Sequence, residues 1–350
     1  MNKEIQTTID ILLSGQVPSS QALAALIEDD DPQTAHMLAE HADALRRRHY
    51  GSKVYIRGLI EFTNYCKNDC YYCGIRKSQT SVSRYRLTAD DILACCEAGY
   101  ALGFRTFVLQ GGEDPWWTDD RLAPLVEAIR KTYPDCAITL SAGERSRESY
   151  QRLFDAGADR YLLRHETASP DHYSKLHPAA LSWQNRMDCL RTLKDIGYQT
   201  GCGFMVGSPF QTTEDLVRDL LFLKEFQPHM VGIGPFLPAS GTPFAGEPAG
   251  SAELTIKLLS MIRLLLPKVL LPATTALGTA ERDGRERGIL AGANVIMPNL
   301  SPTDVRKKYL LYDNKIATGD EAAESVAHLR QSMANIGYQV VTDRGDSLNT

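Results

Sequence analysis

The sequence predicts an α/β fold, a (β/α)8 TIM barrel with an N-terminal helical extension, and three observations lead to it. From Lys53 onward, short β-rich runs alternate with helical stretches, the mark of repeated βα units and a parallel sheet. Those runs are numerous enough to close a barrel. The segments that follow them are polar and glycine-rich, as loops at the C-terminal rim of a barrel are. A length of 350 residues fits one large barrel.

Taken in order, residues 1–50 read as a helical cap. Ile9, Leu12 and Leu13 form one apolar face, and Ala22, Leu23, Leu26 and Ile27 another. Residues 51–350 then form the barrel with a C-terminal helical extension. The expected strands are Val54–Phe62, Thr106–Gln110, Ala137–Leu140, Arg160–Leu163, Gly203–Val206, Met230–Ile233, Val269–Ala273 and Asn294–Met297. Helix starts lie between them: Thr88 stands three residues before Asp91, and Thr212 precedes Glu214-Asp215 and a leucine-rich stripe. No low-complexity linker or short tandem repeat interrupts the series.

Hydrophobic residues make up 43% and charged residues 23%, which is globular composition and excludes a disulfide scaffold or a disordered chain. The net charge of -5 gives no broad basic field, so nucleic acid is not an expected partner. Glu4 and Asp10 break any secretory signal, and Leu258–Leu271 is interrupted by Arg263, Pro267 and Lys268. A cytoplasmic protein without membrane contact is expected. In that reducing compartment the eight cysteines are thiols or metal ligands.

The loop after the first strand carries Cys66-Lys67-Asn68-Asp69-Cys70-Tyr71-Tyr72-Cys73. Three thiolates in one short loop are compact enough to wrap an iron-sulfur cubane, yet one short of the usual four. Three protein ligands leave one iron open, as a catalytic metal requires. A structural zinc site would want a second cysteine pair nearby, and none follows. Cys95, Cys96, Cys136, Cys189 and Cys202 read as packing thiols. Gly111-Gly112-Glu113 follows the second strand, Ser141 ends the third, and His165-Glu166 ends the fourth. A glycine pair after a strand is by itself a turn, and Glu166 with Arg186 is by itself an ion pair. His165 should face away from its neighbour Glu166 and receives no catalytic role.

The CxxxCxxC spacing, with the aromatic Tyr72 before the last cysteine, resembles the signature of the radical S-adenosylmethionine (SAM) superfamily. The resemblance implies a barrel of the radical SAM type with Cys66, Cys70 and Cys73 as ligands of a 4Fe-4S cluster. SAM would chelate the open iron and be cleaved to methionine and a 5′-deoxyadenosyl radical. It further implies that Gly111-Gly112-Glu113 approaches the methionine end of SAM and that Gly203–Gly207 borders adenine. Glu166 would accept from the ribose hydroxyls and Arg186 would face the SAM carboxylate. Tyr72, Gln110, Ser141, Met205 and Ile233 complete the implied cofactor site.

Longer strings resemble one family more closely. Tyr161–Thr167, Val108–Pro115, Met230–Phe236, Pro272–Ala276 and Asn294–Asn299 are similar to HydE, the radical SAM maturase family of FeFe-hydrogenase, over about residues 53–312. That resemblance implies an internal cavity for a cysteine-bound iron complex carrying carbon monoxide and cyanide. Arg57, Thr139, Arg160, Thr274, Thr275, Met297 and Tyr309 are the implied substrate positions. Implied partners are other hydrogenase maturases and a low-potential electron donor such as ferredoxin or flavodoxin. No cysteine follows Cys202, so a second cluster on C-terminal cysteines, present in some family members, is not expected. Alternatives are a methylornithine synthase, a biotin-synthase-like sulfur inserter, and a non-catalytic iron-sulfur scaffold. SAM with dithionite yields 5′-deoxyadenosine only from an enzyme.

Overall fold

The computed structural model describes residues 2–316 and 322–349. In chain order the elements are α1 (Lys3–Leu13), α2 (Ser20–Glu28), α3 (Pro32–Tyr50), β1 (Lys53–Ile56), β2 (Gly58–Thr63), α4 (Ala89–Ala101), β3 (Thr106–Gly111), α5 (Asp119–Thr132), β4 (Ala137–Ser141), α6 (Arg147–Asp155) and β5 (Arg160–Leu162). There follow α7 (Pro170–Leu176), α8 (Trp183–Ile196), β6 (Gln199–Cys202), β7 (Met205–Val206), α9 (Thr213–Phe226), β8 (Met230–Val231), β9 (Gly234–Pro235) and α10 (Ala252–Leu265). The remainder is α11 (Thr275–Ala280), α12 (Gly284–Leu290), β10 (Val295–Ile296), α13 (Thr303–Arg306), α14 (Ala322–Asn335) and β11 (Gln339–Val341). No helix among the described residues is long and apolar enough to cross a membrane.

The three leading helices each begin on a side chain that accepts a backbone N–H: Asn2, Ser19 and Asp31. In α1 the buried face is Ile5, Thr8, Ile9 and Leu12. Leu13, expected on that face, is instead 43% exposed, because it lies a full 100° round from Leu12 while Ile5 lies one turn from Ile9. These helices pack against α9 and α10. Lys257 of α10 fixes them there: its ammonium donates to the carbonyls of Ile27 and Asp29, at the C-terminal end of α2.

The expected capping boxes are formed at Thr88 with Asp91 and at Thr212 with Asp215. Six strands lie side by side in parallel, in the order β2-β3-β4-β5-β6-β8. A second parallel group has the order β10-β1-β11, and β7 pairs β9. The result is an α/β fold with partial parallel sheets.

Several strand expectations need correction. The run Val54–Phe62 is broken at Arg57 into β1 and β2. The expected strand Gly203–Val206 is split: β6 ends at Cys202, and Gly203 takes φ +152° so tightly that a Cβ would sit 1.9 Å from the Gly232 carbonyl. Met230–Ile233 is shortened to β8. Val269–Ala273 makes only single parallel bridges, Leu270 to Met230 and Pro272 to Val295, since Pro272 has no N–H to give a ladder. The strand β11 was not expected from the sequence.

Register sets which side chains share the inner face. Gln110 stands beside Ser141, and two residues earlier Val108 stands beside Thr139, itself beside Arg160. With a period of two, Thr139 and Arg160 therefore lie one layer deeper than Ser141 and Leu162, toward the N-terminal ends of the strands.

At that end the chain folds back on itself. Arg160 donates to Asp346 (2.6 Å) and to the Arg344 carbonyl, Thr106 donates to the same carbonyl, and Gln199 donates to Asp346. Burial alone would raise the Asp346 carboxyl, but Arg160, Arg344 and Gln199 outweigh it and hold it below the ordinary carboxylate range. Its contribution to stability is therefore present above about pH 4 and is lost as pH falls through the lowered value. D346A leaves the buried Arg160 guanidinium short of its partner and is expected to cost ~1–3 kcal/mol in denaturant unfolding at neutral pH. That deficit should shrink in acid.

Candidate active site at the cysteine loop

Strand β2 ends at Thr63, and the next residues swing the cysteines across the C-terminal ends of the strands. The loop is held from several sides. Lys67 N–H donates to the Glu113 carbonyl (2.9 Å), and Tyr71 N–H to the Leu176 carbonyl (3.0 Å). Asp69 ties the loop by accepting from Arg76 (2.6 Å) and Ser78. Arg84 gathers the carbonyls of Asn64, Ile75, Arg76 and Gln79 with one guanidinium. Five donors in a rigid fork suit that task.

All three cysteines line a cavity of about 290 Å³. Also on its wall are Asn68, Tyr72, Gln110, Gly111, Gly112, Glu113, Ser141 and Gly143. The opposite side is formed by Arg164, Glu166, Arg186, Met205 and Thr274, with Tyr309, Leu311 and Tyr312 closing it. A larger surface hollow of about 570 Å³ is lined by Arg147, Glu148, Arg152 and Asp155, a solvated charged surface with no such convergence.

Burial pushes all three thiols above their usual range, Cys73 to about 12, and mutual repulsion between the cysteines raises Cys70 and Cys73 further. Three neighbouring thiols on one cavity wall can converge on a single iron-sulfur group. Among the described residues no three His, Cys, Asp or Glu side chains are gathered to hold a single metal ion. The remaining cysteines, Cys95, Cys96, Cys136, Cys189 and Cys202, are buried.

The glycine pair does steric work beside this loop. A Cβ on Gly112 would lie 2.2 Å from the Tyr65 carbonyl and 2.8 Å from Cys66 Cβ, so only glycine lets the strand end pass under the cysteines. Tyr72 donates to His177 Nε2 (3.1 Å), while His177 Nδ1 bonds the Tyr173 carbonyl (3.0 Å). Burial lowers His177 to about 3, so it stays a neutral acceptor that orients the Tyr72 phenol.

Glu166 and Arg186 both reach the cavity, but their partners differ. Arg186 donates to Glu144 (2.6 Å) and to the Arg164 carbonyl (3.0 Å), and lies 3.8 Å from Glu113. Burial works against its charge, yet Glu144 and its other anionic neighbours outweigh that and keep it protonated. Glu166 Oε2 is buried with no hydrogen bond, 3.5 Å from Arg164. Arg164 itself has two guanidinium nitrogens without hydrogen-bond partners. An acceptor and a donor that lack hydrogen bonds within the protein, side by side in a cavity, can take a ligand that offers both hydroxyl and carboxylate groups.

Of the implied substrate positions, Thr274 and Tyr309 line the cavity. Thr274 Oγ1 also accepts the Leu277 N–H as the α11 cap, and Gln110 donates to the Tyr309 hydroxyl. The others do not share this wall. Thr139 is buried one layer deeper with an unpartnered hydroxyl. Arg57 bonds Met230 Sδ and the Gly345 carbonyl, and Arg160, the first residue of β5, serves the Asp346 contact. Thr275 accepts from Arg285, and Met297 packs against the inner cluster of Tyr50, Tyr55, Leu162 and Met230. Ile233, expected at the cofactor, is a core side chain. Both arginines, implied as substrate positions, stand toward the N-terminal ends of the strands, where the C-terminal segment occupies them.

The sequence reading gives no site role to Arg164, Arg84 or His177. Arg164 had a signal, since it directly precedes His165-Glu166. The other two act through backbone and side-chain contacts that no local pattern announces.

Residues 60–223 match the model of the Radical SAM superfamily. The FeFe hydrogenase maturase subunit HydE of Thermotoga maritima is 46% identical over 304 residues, covering 87% of this chain and 86% of that protein. The 3-methylornithine synthase of Methanosarcina acetivorans is 28% identical over 325 residues, 92% of this chain and 91% of that one. Among solved structures, methylornithine synthase (PylB) superposes with a TM-score of 0.84 at 27% identity, covering 95% of this chain and 96% of that chain.

Proposed function

The chain belongs to the radical SAM superfamily and to the HydE family of FeFe-hydrogenase maturases, and from that premise we propose that its substrate is a cysteine-bound iron complex carrying carbon monoxide and cyanide. The protein is a radical SAM enzyme of hydrogenase-maturase type that uses a 4Fe-4S cluster and SAM. The observation that carries the substrate reading is the cavity at the cysteine loop, which gathers three thiols with Glu166 and Arg164, an ion pair whose facing atoms make no hydrogen bond within the protein.

Cys66, Cys70 and Cys73 hold the cluster in this reading. Bound together, cluster and SAM supply reductive cleavage of the sulfonium and a carbon radical. Gly111, Gly112 and Glu113, with Gln110, Ser141, Tyr72 and Met205, shape the cofactor side. Glu166 accepts from hydroxyl groups, and Arg186 fixes Glu113 and Glu144 around it. Arg164, Thr274 and Tyr309 offer donors to the substrate, with Thr139 below them. Leu162, Leu163 and Phe236 give the cavity apolar walls that keep solvent from reactive intermediates.

The succession of bridges from Met230 to Leu270, from Pro272 to Val295 and from Leu59 to Asn299 supports an eight-stranded ring around this cavity. Residues 1–50 act as a cap on its outer helices. A cytoplasmic location suits the reaction, with electrons from a ferredoxin or flavodoxin and transient contact with other hydrogenase maturases.

E166A and R186A are each expected to weaken SAM binding about tenfold or more while cluster content holds, measured by equilibrium dialysis on reconstituted protein. Unchanged affinity in both would remove them from the cofactor site. The substrate is tested by hydrogenase maturation in a strain lacking its own maturase. Restored hydrogenase activity is expected. SAM cleavage without restoration would point to an amino-acid substrate of the methylornithine kind, and no 5′-deoxyadenosine at all to a scaffold.

A further inference from the structure

Glu166 is the one cavity residue other than glycine whose backbone lies in the left-handed region, at φ 67°. For a residue with a Cβ that conformation costs ~1–3 kcal/mol and persists only where the surroundings fix it. Those surroundings are a buried network behind the cavity wall. Glu166 N–H donates to the Gly203 carbonyl (3.0 Å), and Gly203 N–H donates back to His165 Nδ1 (3.2 Å). An amide can only donate, so Nδ1 carries no proton and Nε2 does. His165 Nε2–H then donates to Asp219 Oδ1 (3.1 Å). The same oxygen accepts the Ala168 N–H at 2.6 Å.

Asp219, projecting from α9, thus holds the chain on both sides of Glu166, at residue 165 and at residue 168. Both His165 and Asp219 are fully buried, and His165 is wedged between Phe204 and Phe222. Neither touches the cavity, yet together they fix where the Glu166 carboxylate is aimed. We propose that His165 and Asp219 are positioning residues for SAM binding, acting through the backbone of Glu166 and Gly203. This rests on the reading of Glu166 as a SAM contact. The carboxylate-histidine pair does here for a protein side chain what outer partners do for metal ligands: it selects the tautomer and the orientation.

The test is SAM affinity of the cluster-reconstituted protein. D219A and H165F are expected to raise the SAM Kd about tenfold or more with iron content unchanged. D219N keeps an oxygen that accepts from both donors and should stay within about threefold of the parent. In 5′-deoxyadenosine formation the KM for SAM should rise while kcat holds. In an E166A background the added D219A or H165F change should have no further effect on Kd, because the group they aim is gone. Additive losses there, or an unchanged Kd in D219A and H165F where E166A binds poorly, overturn the positioning role. An unchanged Kd in E166A alone overturns the reading beneath it and the proposal with it. If D219A fails to fold, H165F, which retains the ring packing, decides.

Discussion

The triple variant C66A/C70A/C73A is expected to hold no cluster: after anaerobic reconstitution, iron should fall from about four atoms per chain to background, and the reduced-cluster EPR signal should vanish. The reason lies in where the thiols sit. All three line one cavity, and no other cysteine faces it. Cys95, Cys96, Cys136, Cys189 and Cys202 are buried elsewhere and cannot substitute without refolding. SAM cleavage should be lost with the cluster, while the fold, held by Arg84 and the Lys67–Glu113 contact, should persist by circular dichroism. A full reducible cluster in the triple variant would show that other groups bind it.

Removing Glu61 is expected to give the largest loss of stability. Its carboxylate, on β2 and almost wholly buried, is ion-paired with Lys315 and accepts from Asn299 (2.8 Å). Lys315 is itself buried and donates also to the Tyr309 carbonyl (3.0 Å). E61A leaves an ammonium inside the protein without its counter-charge, a change that typically costs ~3–5 kcal/mol. The segment it anchors carries Tyr309, Leu311 and Tyr312 over the cavity, so proteolysis near residues 307–316 should quicken. The double variant E61L/K315M removes both charges and should recover much of the loss. Equal stability of E61A and the parent would mean that the pair is solvated.

The parts of this molecule that could be read from the sequence are those with a local signature. Cys66, Cys70 and Cys73 announce themselves by spacing within one loop, and Thr88 and Thr212 by the acidic residue three positions on. The strands Thr106–Gly111 and Ala137–Ser141 are short apolar runs with clear ends, and they were placed to within a residue. The chain breaks at Gly203 for a reason the sequence hides, the close approach of the Gly232 carbonyl. Pro272 sits inside an apolar run, and its missing N–H reduces that run to single bridges. Strand β11 pairs with β1 across most of the chain, and three residues carry too little pattern to reveal it. Arg160 and Arg57 look like ligands for an anion, and one anion that Arg160 meets is the chain's own Asp346.

That last contact also orders events in time. Asp346 lies 186 residues from Arg160, and Arg344 lies 238 from Thr106. Contacts so distant in sequence are made late, because the loops they close are entropically expensive until nearer pairings have shortened them. Neighbouring βα units, whose contacts are local, form first and leave the N-terminal ends of the strands open. Closure of that end by Arg344 and Asp346 is therefore expected late in refolding, after the neighbouring βα units have paired.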